Sequence, residues 1–251
     1  MLRIVRASNS FAVRAASSDG GGTADRPLPP DNVRIRLRLI GQMEGWTATG
    51  EGVLPTVRRA RALLAMLALA SPRPWPRSRL AEVLWAGRGD EQARASLRQE
   101  LHRLQEALAP VRCEILSVNR DQIAMLPGLV WVDAQEIMLA TPDQPAALAL
   151  MEGNLLEGLA GLNPVFDQWL KTERERLRDH ARDVAEQLLL SQPDAEPQQS
   201  IHAAQRLIRI DRAHEGAWRA LMRAHAVRGE RGLAIQAYER CRAVLAEALD
   251  A

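Results

Sequence analysis

From residue 33 onward the hydrophobic positions fall into regular spacings. Val33, Ile35, Leu37 and Leu39 alternate with Arg34, Arg36 and Arg38, the period of two that predicts a strand with one buried face. Glycines at 41, 45, 50 and 52 then break residues 46–54 into short strands and turns, so a small sheet is expected at this end. Next the spacing becomes helical. Val57, Ala60, Leu63, Leu64 and Leu67 share one face of a helix predicted over 57–70, which Ser71-Pro72 ends. Ser78 is placed to cap a shorter helix over 79–86, with Leu80, Val83 and Leu84 pointing inward. Gly87 and Gly89 form the bend into a third helix over 90–108, DEQARASLRQELHRLQEAL. Its apolar residues, Ala93, Leu97, Leu101, Leu104 and Leu108, merge into one narrow stripe. Asp90 is expected to cap this helix, Glu91 suits the positive end of its dipole, and Ala109-Pro110 closes it.

Three helices, the last two joined by a short Gly-containing turn, predict a helix-turn-helix. The polar face of the third helix carries Ala95, Arg98, Gln99, His102 and Glu106, flanked by Arg94, Ser96 and Arg103. A small residue ringed by Arg, Gln and His suits close approach to base-pair edges, so this is the expected recognition helix. A merely solvated face is the competing reading of the same pattern. A hairpin follows, residues 115–118 and 122–125 around Asn119-Arg120-Asp121, and one more strand is expected over 129–133. A hairpin directly after a recognition helix is a wing.

The last hundred residues read as helical hairpins. Trp218 and Leu221, then Ala234 and Tyr238, have the spacing of a tetratricopeptide repeat, with Gly229 between its helices. Ala204 to Ile208 fits the second helix of the preceding repeat, and a helix over 168–191 supplies the earlier part. Residues 192–199, QPDAEPQQ, make a looser turn than the repeat requires. Core packing is the expected role of Trp169, Trp218 and Tyr238. Residues 1–31 are too poor in apolar side chains to form a core and are expected to be a disordered leader.

Charge sharpens this picture. Residues 1–140 hold 19 basic and 14 acidic side chains, whereas 141–251 hold 14 and 17. Within 58–120 there are 12 Arg, no Lys and 6 acids. A basic block joined to a mildly acidic one fits a nucleic-acid reader followed by a partner-binding module. Arg outnumbers Lys 32 to 1 throughout, so the preference itself carries no functional reading. Cys113 and Cys241 lie far apart without metal-ligand spacing, which predicts two reduced thiols in a cytoplasmic protein. The histidines at 102, 180, 202, 214 and 225 are scattered singly, so neither a catalytic centre nor a metal site is expected. With no Gly-rich phosphate loop, no cofactor or small-molecule ligand is expected, and no apolar run reaches membrane-spanning length.

Three segments of the first half, LPTVRRARALLAMLAL at 54–69, RSRLAEVLW at 77–85 and ARASLRQELHRL at 93–104, resemble the DNA-binding half of the Streptomyces antibiotic regulatory protein (SARP) family. NLLEGLAGLNPVFDQWLKTERERL, at 154–177, is similar to the opening of the bacterial transcriptional activator domain that follows it in that family. The resemblance implies a mainly α protein with a small β component. Its parts would be the leader (1–31), an OmpR-like winged helix-turn-helix (32–140) and an all-α, tetratricopeptide-like activator domain (141–251). It implies a transcriptional activator that binds direct repeats of double-stranded DNA as head-to-tail pairs and contacts RNA polymerase. Arg94, Arg98, Gln99 and His102 are the expected base readers, since Arg pairs with guanine and Gln with adenine. Arg77, Arg79, Arg103 and Arg120 are expected at phosphates, together with Arg58 and Arg59, which match a basic pair in the family's first helix. The rival reading is a protein-interaction scaffold built on the helical repeats without DNA binding. Glu91, Glu100 and Glu106 favour it, because carboxylates facing the groove would repel phosphates.

Overall fold

The computed structural model describes residues 32–191 and 196–249. Strands β1 (Ile35–Arg38) and β2 (Glu44–Thr47) form an antiparallel hairpin. Val33, Ile35, Leu37 and Leu39 are buried and the arginines between them exposed, as the alternation predicts. Helix α1 (Arg58–Ala70) follows, and it is buried round most of its circumference rather than on one face. Ala60 and every residue from 62 to 68 are buried. RRARALLAMLALA carries no charge after Arg61, so each side of the helix needs an apolar partner. It finds them in α2 (Arg77–Leu84), α3 (Asp90–Leu108), β5 (Gln122–Met125) and β6 (Val130–Val132).

Both predicted caps are corrected. Asp90 is the first residue of α3 rather than its cap, Gly89 takes the cap position, and Asp90 and Glu91 lie in the first turn at the positive end of the dipole. Helix α2 starts two residues early, behind Pro76, so Ser78 lies inside it. The cause is β3 (Trp75–Pro76), a two-residue strand the sequence pattern did not predict, paired antiparallel with β5. That pairing and the N–H of Arg77, which donates to Asp121 O at 2.8 Å, fix the backbone entering α2 without a side-chain cap.

The wing forms where expected, β4 (Leu116–Val118) antiparallel to β5. Its turn is held by Asn119, whose Oδ1 accepts from the N–H groups of Asp121 (3.1 Å) and Gln122 (2.8 Å). Strand β6 then leaves the wing and pairs parallel with β1, giving the order β2-β1-β6. Helix α4 (Asp133–Leu139) begins at once.

Asp133 locks this junction. Its carboxylate is 2% exposed and accepts from the N–H groups of Leu39 (2.8 Å), Ile40 (3.0 Å) and Ala134 (2.7 Å). Burial pushes its pKa above the usual 3.8, against the three N–H groups and the Arg38 charge, which pull it down.

The chain next folds back on the first sheet. Leu156 N–H donates to Leu39 O, and Gly41 exchanges backbone bonds with Asn154 and Glu157. Helix α5 (Pro164–Leu190) is capped by Asn163, whose Oδ1 accepts from the N–H groups of Val165 and Phe166 and whose Nδ2 donates to Val83 O in α2. Arg58, at the start of α1, donates from Nη2 to Gly158 O (3.0 Å) and Ala160 O (2.7 Å) across the same joint. Helices α6 (Pro197–Ile210), α7 (Glu215–Val227) and α8 (Arg231–Leu249) stack in chain order. Gly229 takes a positive φ (75°) in the turn before α8.

The two halves do not have wholly separate cores. One core runs from β1 through α1 to α4 and on to α5, reaching Leu207, Ile210 and Ala217. A smaller cluster, with Ile201, Trp218, Leu221 and Cys241, serves the last three helices. Helix α5 belongs to both halves of the molecule. Trp218 is buried and donates its indole N–H to Arg212 O, and Trp169 is half-buried beside Phe166, as expected. Tyr238 is not: it is 55% exposed, because Ala237 and Cys241 occupy the inward face of α8. His225 is buried, with Nδ1 2.7 Å from Glu230, and His214 Nδ1 caps α7. Both cysteines are free thiols, Cys113 exposed and Cys241 buried. The predicted leader at 1–31 and part of the loose turn, 192–195, lie outside the described residues.

Two outcomes are expected. Asp133→Ala leaves three buried N–H groups unpartnered and should lower the unfolding free energy by about 3 kcal/mol, read as a lower urea midpoint at unchanged slope. The pH dependence has the opposite sign to that of an ordinary paired carboxylate, because the folded state holds the Asp133 proton more tightly than the unfolded chain. The stability of the wild type relative to Asp133→Asn should therefore be greatest below pH 3.8 and decline as pH rises through the elevated pKa. A difference that grows with pH would contradict this.

Candidate nucleic-acid interface

Because Ala93, Leu97, Leu101, Leu104 and Leu108 of α3 are all buried, the opposite face must point outward. Arg94, Ala95, Arg98, Gln99, His102 and Glu106 are exposed there. Arg94, Arg98 and His102 are spaced by four and stand above one another along a single ridge. The turn that feeds α3 is fastened to it by Arg88, whose Nη1 donates to Ser96 Oγ at 3.1 Å.

Beside the first two residues of that ridge lies an open cleft of about 640 Å³, walled by α3, the start of α2 and the wing turn. Arg94 and Arg98 line it from α3, Arg77 from α2, and Arg120 and Gln122 from the wing. Arg77 also builds it, since its Nη1 donates to Asn119 O at 3.2 Å and its backbone N–H holds Asp121. Asp121 is the one carboxylate on these walls. Among the described residues, Arg94, Arg98 and Arg120 have no carboxylate within ion-pair distance. Several uncompensated guanidinium groups on a concave surface focus positive potential into it.

The other expected site residues divide. Gln99 and His102 sit on the exposed face but outside the cleft, with His102 Nε2 3.3 Å from Glu106. Arg79 is exposed and 2.8 Å from Glu82. Arg103 donates to Glu100 at 2.6 Å, and Arg59 is half-buried with its Nε enclosed and unpartnered. Arg58 is exposed, and its Nη2 donates to the carbonyls of Gly158 and Ala160, which ties the two halves together.

Glu100 differs from the groove-facing position that the rival reading needs. It is 6% exposed, turned toward the core side of α3 and bonded to Arg103. Sequence reasoning missed three contributors, Arg88, Asn119 and Gln122. A hydrogen-bonding Asn at the first position of a tight hairpin turn was the available signal for Asn119. Nothing in the sequence marked the other two. Among the described residues no cluster of His, Cys, Asp and Glu could hold a metal ion, and no helix is long and apolar enough to cross a membrane.

Residues 131–251 match the bacterial transcriptional activator domain family. That match begins ten residues before the boundary expected at 141, inside β6. In fold the chain is similar to Mycobacterium tuberculosis EmbR, solved in complex with a low-affinity phosphopeptide, with a TM-score of 0.60 and 19% sequence identity. The likeness covers 85% of this chain and 60% of that one, so this chain spans less than two thirds of the other's length. No match is found among curated proteins. The winged helix, the activator domain behind it and the shared fold agree with the resemblance carried by the sequence. Residues 131–251 are thus similar to a bacterial transcriptional activator domain, and they follow a winged helix in a chain whose fold is similar to that of the solved structure.

Proposed function

We propose that this chain is a sequence-specific activator that reads duplex DNA with α3 in the major groove and the wing turn on the adjoining backbone. The observation that carries the reading is the convergence of Arg77, Arg94, Arg98 and Arg120 on one open cleft. A scaffold without DNA binding gives no reason for the uncompensated arginines of α3 and the wing to share a wall with Arg77 of α2. In this reading Arg94, Arg98, Gln99 and His102 face base edges, and Arg77 and Arg120 neutralise phosphates where wing and helix meet. In the same reading Arg59, Arg79 and Arg103 are outer phosphate contacts. The inward turn of Glu100 removes one of the three carboxylates that weighed against a groove-facing α3. Binding to direct repeats as head-to-tail pairs, and contact with RNA polymerase, follow from the family resemblance and assign the helical stack to protein partners.

Selection from random duplexes, followed by a salt titration on the recovered sequence, tests the reading. A repeated motif should emerge, with affinity falling steeply in salt. Arg98→Ala should lose about 1–3 kcal/mol of discrimination at one base position. Arg120→Ala should weaken all sequences alike and reduce the salt slope by about one phosphate's worth. Arg58→Ala should leave that slope unchanged while lowering the melting temperature, since it acts at the joint between the halves. Weak binding without an enriched motif would sink the proposal.

A further inference from the structure

A second recess, of about 400 Å³, opens where the two halves of the chain meet. That volume is in the range of small-molecule sites, which favour such junctions. Its walls are apolar: Leu69 and Pro72 from the end of α1 and its turn, Val130 from β6, Met138 and Leu139 from α4, and Leu177 from α5. They are also held in place by hydrogen bonds. The side-chain amide of Gln135 donates to Ala68 O (2.7 Å) and Ser71 O (2.9 Å), and Arg174 of α5 donates to Leu155 O (2.8 Å) and Leu156 O (3.2 Å). Ligand-sized space is therefore present before any ligand arrives.

Two features of the rim indicate what would fill it. Leu139 is 74% exposed, the highest value for any large apolar side chain among the described residues. Such a side chain at the lip of an apolar recess gains from being covered. The charged groups are Arg73, Arg176 and Glu173. Glu173 lies 3.5 Å from Arg176, while Arg73 has no carboxylate at ion-pair distance among the described residues. The rim thus carries one uncompensated positive charge.

We propose that this recess binds a small molecule with an apolar body and a single anionic group. The apolar part lies against Met138, Leu139 and Leu177, and the anion is held by Arg73. A wholly apolar molecule would leave Arg73 unused, and a cation would be repelled. Because α1, β6, α4 and α5 all line the recess, such a ligand touches the winged helix and the activator domain together. It would stabilise their present arrangement by mass action. The proposal stands independently of DNA binding.

The test uses the full chain and a fluorescent aromatic sulfonate, 8-anilinonaphthalene-1-sulfonate, with decanoate and 1-decanol as competitors. Saturable binding at one site is expected, with decanoate displacing the probe about tenfold more effectively than decanol. Met138→Trp, which fills the recess, and Leu139→Asp, which puts charge on its lip, should each weaken the probe by about tenfold. Arg73→Ala should abolish the preference for decanoate over decanol. Melting curves and the random-duplex DNA assay on the same variants establish that they remain folded and separate this site from the DNA interface. Absence of saturable binding, binding unchanged in both Met138→Trp and Leu139→Asp, or equal competition by acid and alcohol in the wild type overturns the proposal.

Discussion

The structure depends on the burial of α1. A helix with apolar residues on every side cannot rest against a single partner. Here α2 and α3, the wing strand β5 and the returning strand β6 supply the cover. That requirement explains why the wing strand next to α1 is the one with Ile123 and Met125 fully inward. It explains also why α3 has so narrow an apolar stripe: α3 needs only to seal one flank of α1, which leaves the larger part of its circumference free. The outward arginines of α3 are thus consequences of how α1 is covered.

From that packing the charge geometry follows. The short strand β3 pairs with β5 and runs straight into α2, so Arg77 starts a helix while its backbone holds the wing turn. The wing tip is thereby kept beside the N-terminal half of α3 rather than free to swing. Arg120 on that tip and Arg94 and Arg98 on the helix face one space because a two-residue strand and one Asn turn fix the distance between their backbones. A preformed basic cleft loses less entropy on meeting a polyanion than the same charges on mobile loops would.

The sequence made legible what depends on local period. The alternation at Val33 to Leu39, the α3 stripe and the wing hairpin all appear within a residue or two of their expected places, since burial of one face leaves its period in the chain. The outward face of α3 was readable for the same reason. What stayed hidden was long-range. The parallel pairing of β6 with β1 joins residues nearly a hundred positions apart, and two residues of β3 are too few to show a period. Arg58 illustrates the limit at single-residue level. A basic pair at a helix start fits phosphates and backbone carbonyls equally well, and only the fold brings Gly158 and Ala160 within its reach. Glu100 is the converse case, a charged residue in an outwardly polar sequence whose helical angle turns it inward beside the leucine stripe.

The shared core ties the two halves of the chain together. Helix α5 packs on α2 and α4, its capping residue Asn163 donates to the carbonyl of Val83, and Arg174 and Arg58 bind carbonyls of the connecting segment. Asp133 adds a buried carboxylate that fastens the start of α4 to the end of β1. Opening the joint would expose leucines on both faces and break the bonds of Asn163 to Val83 O and of Arg58 to Gly158 O and Ala160 O. Helix α3 and the first helices of the stack therefore share one core. If α3 engages DNA as proposed, its register there sets the orientation of α6 to α8, and the spacing between adjacent sites would decide whether neighbouring stacks touch.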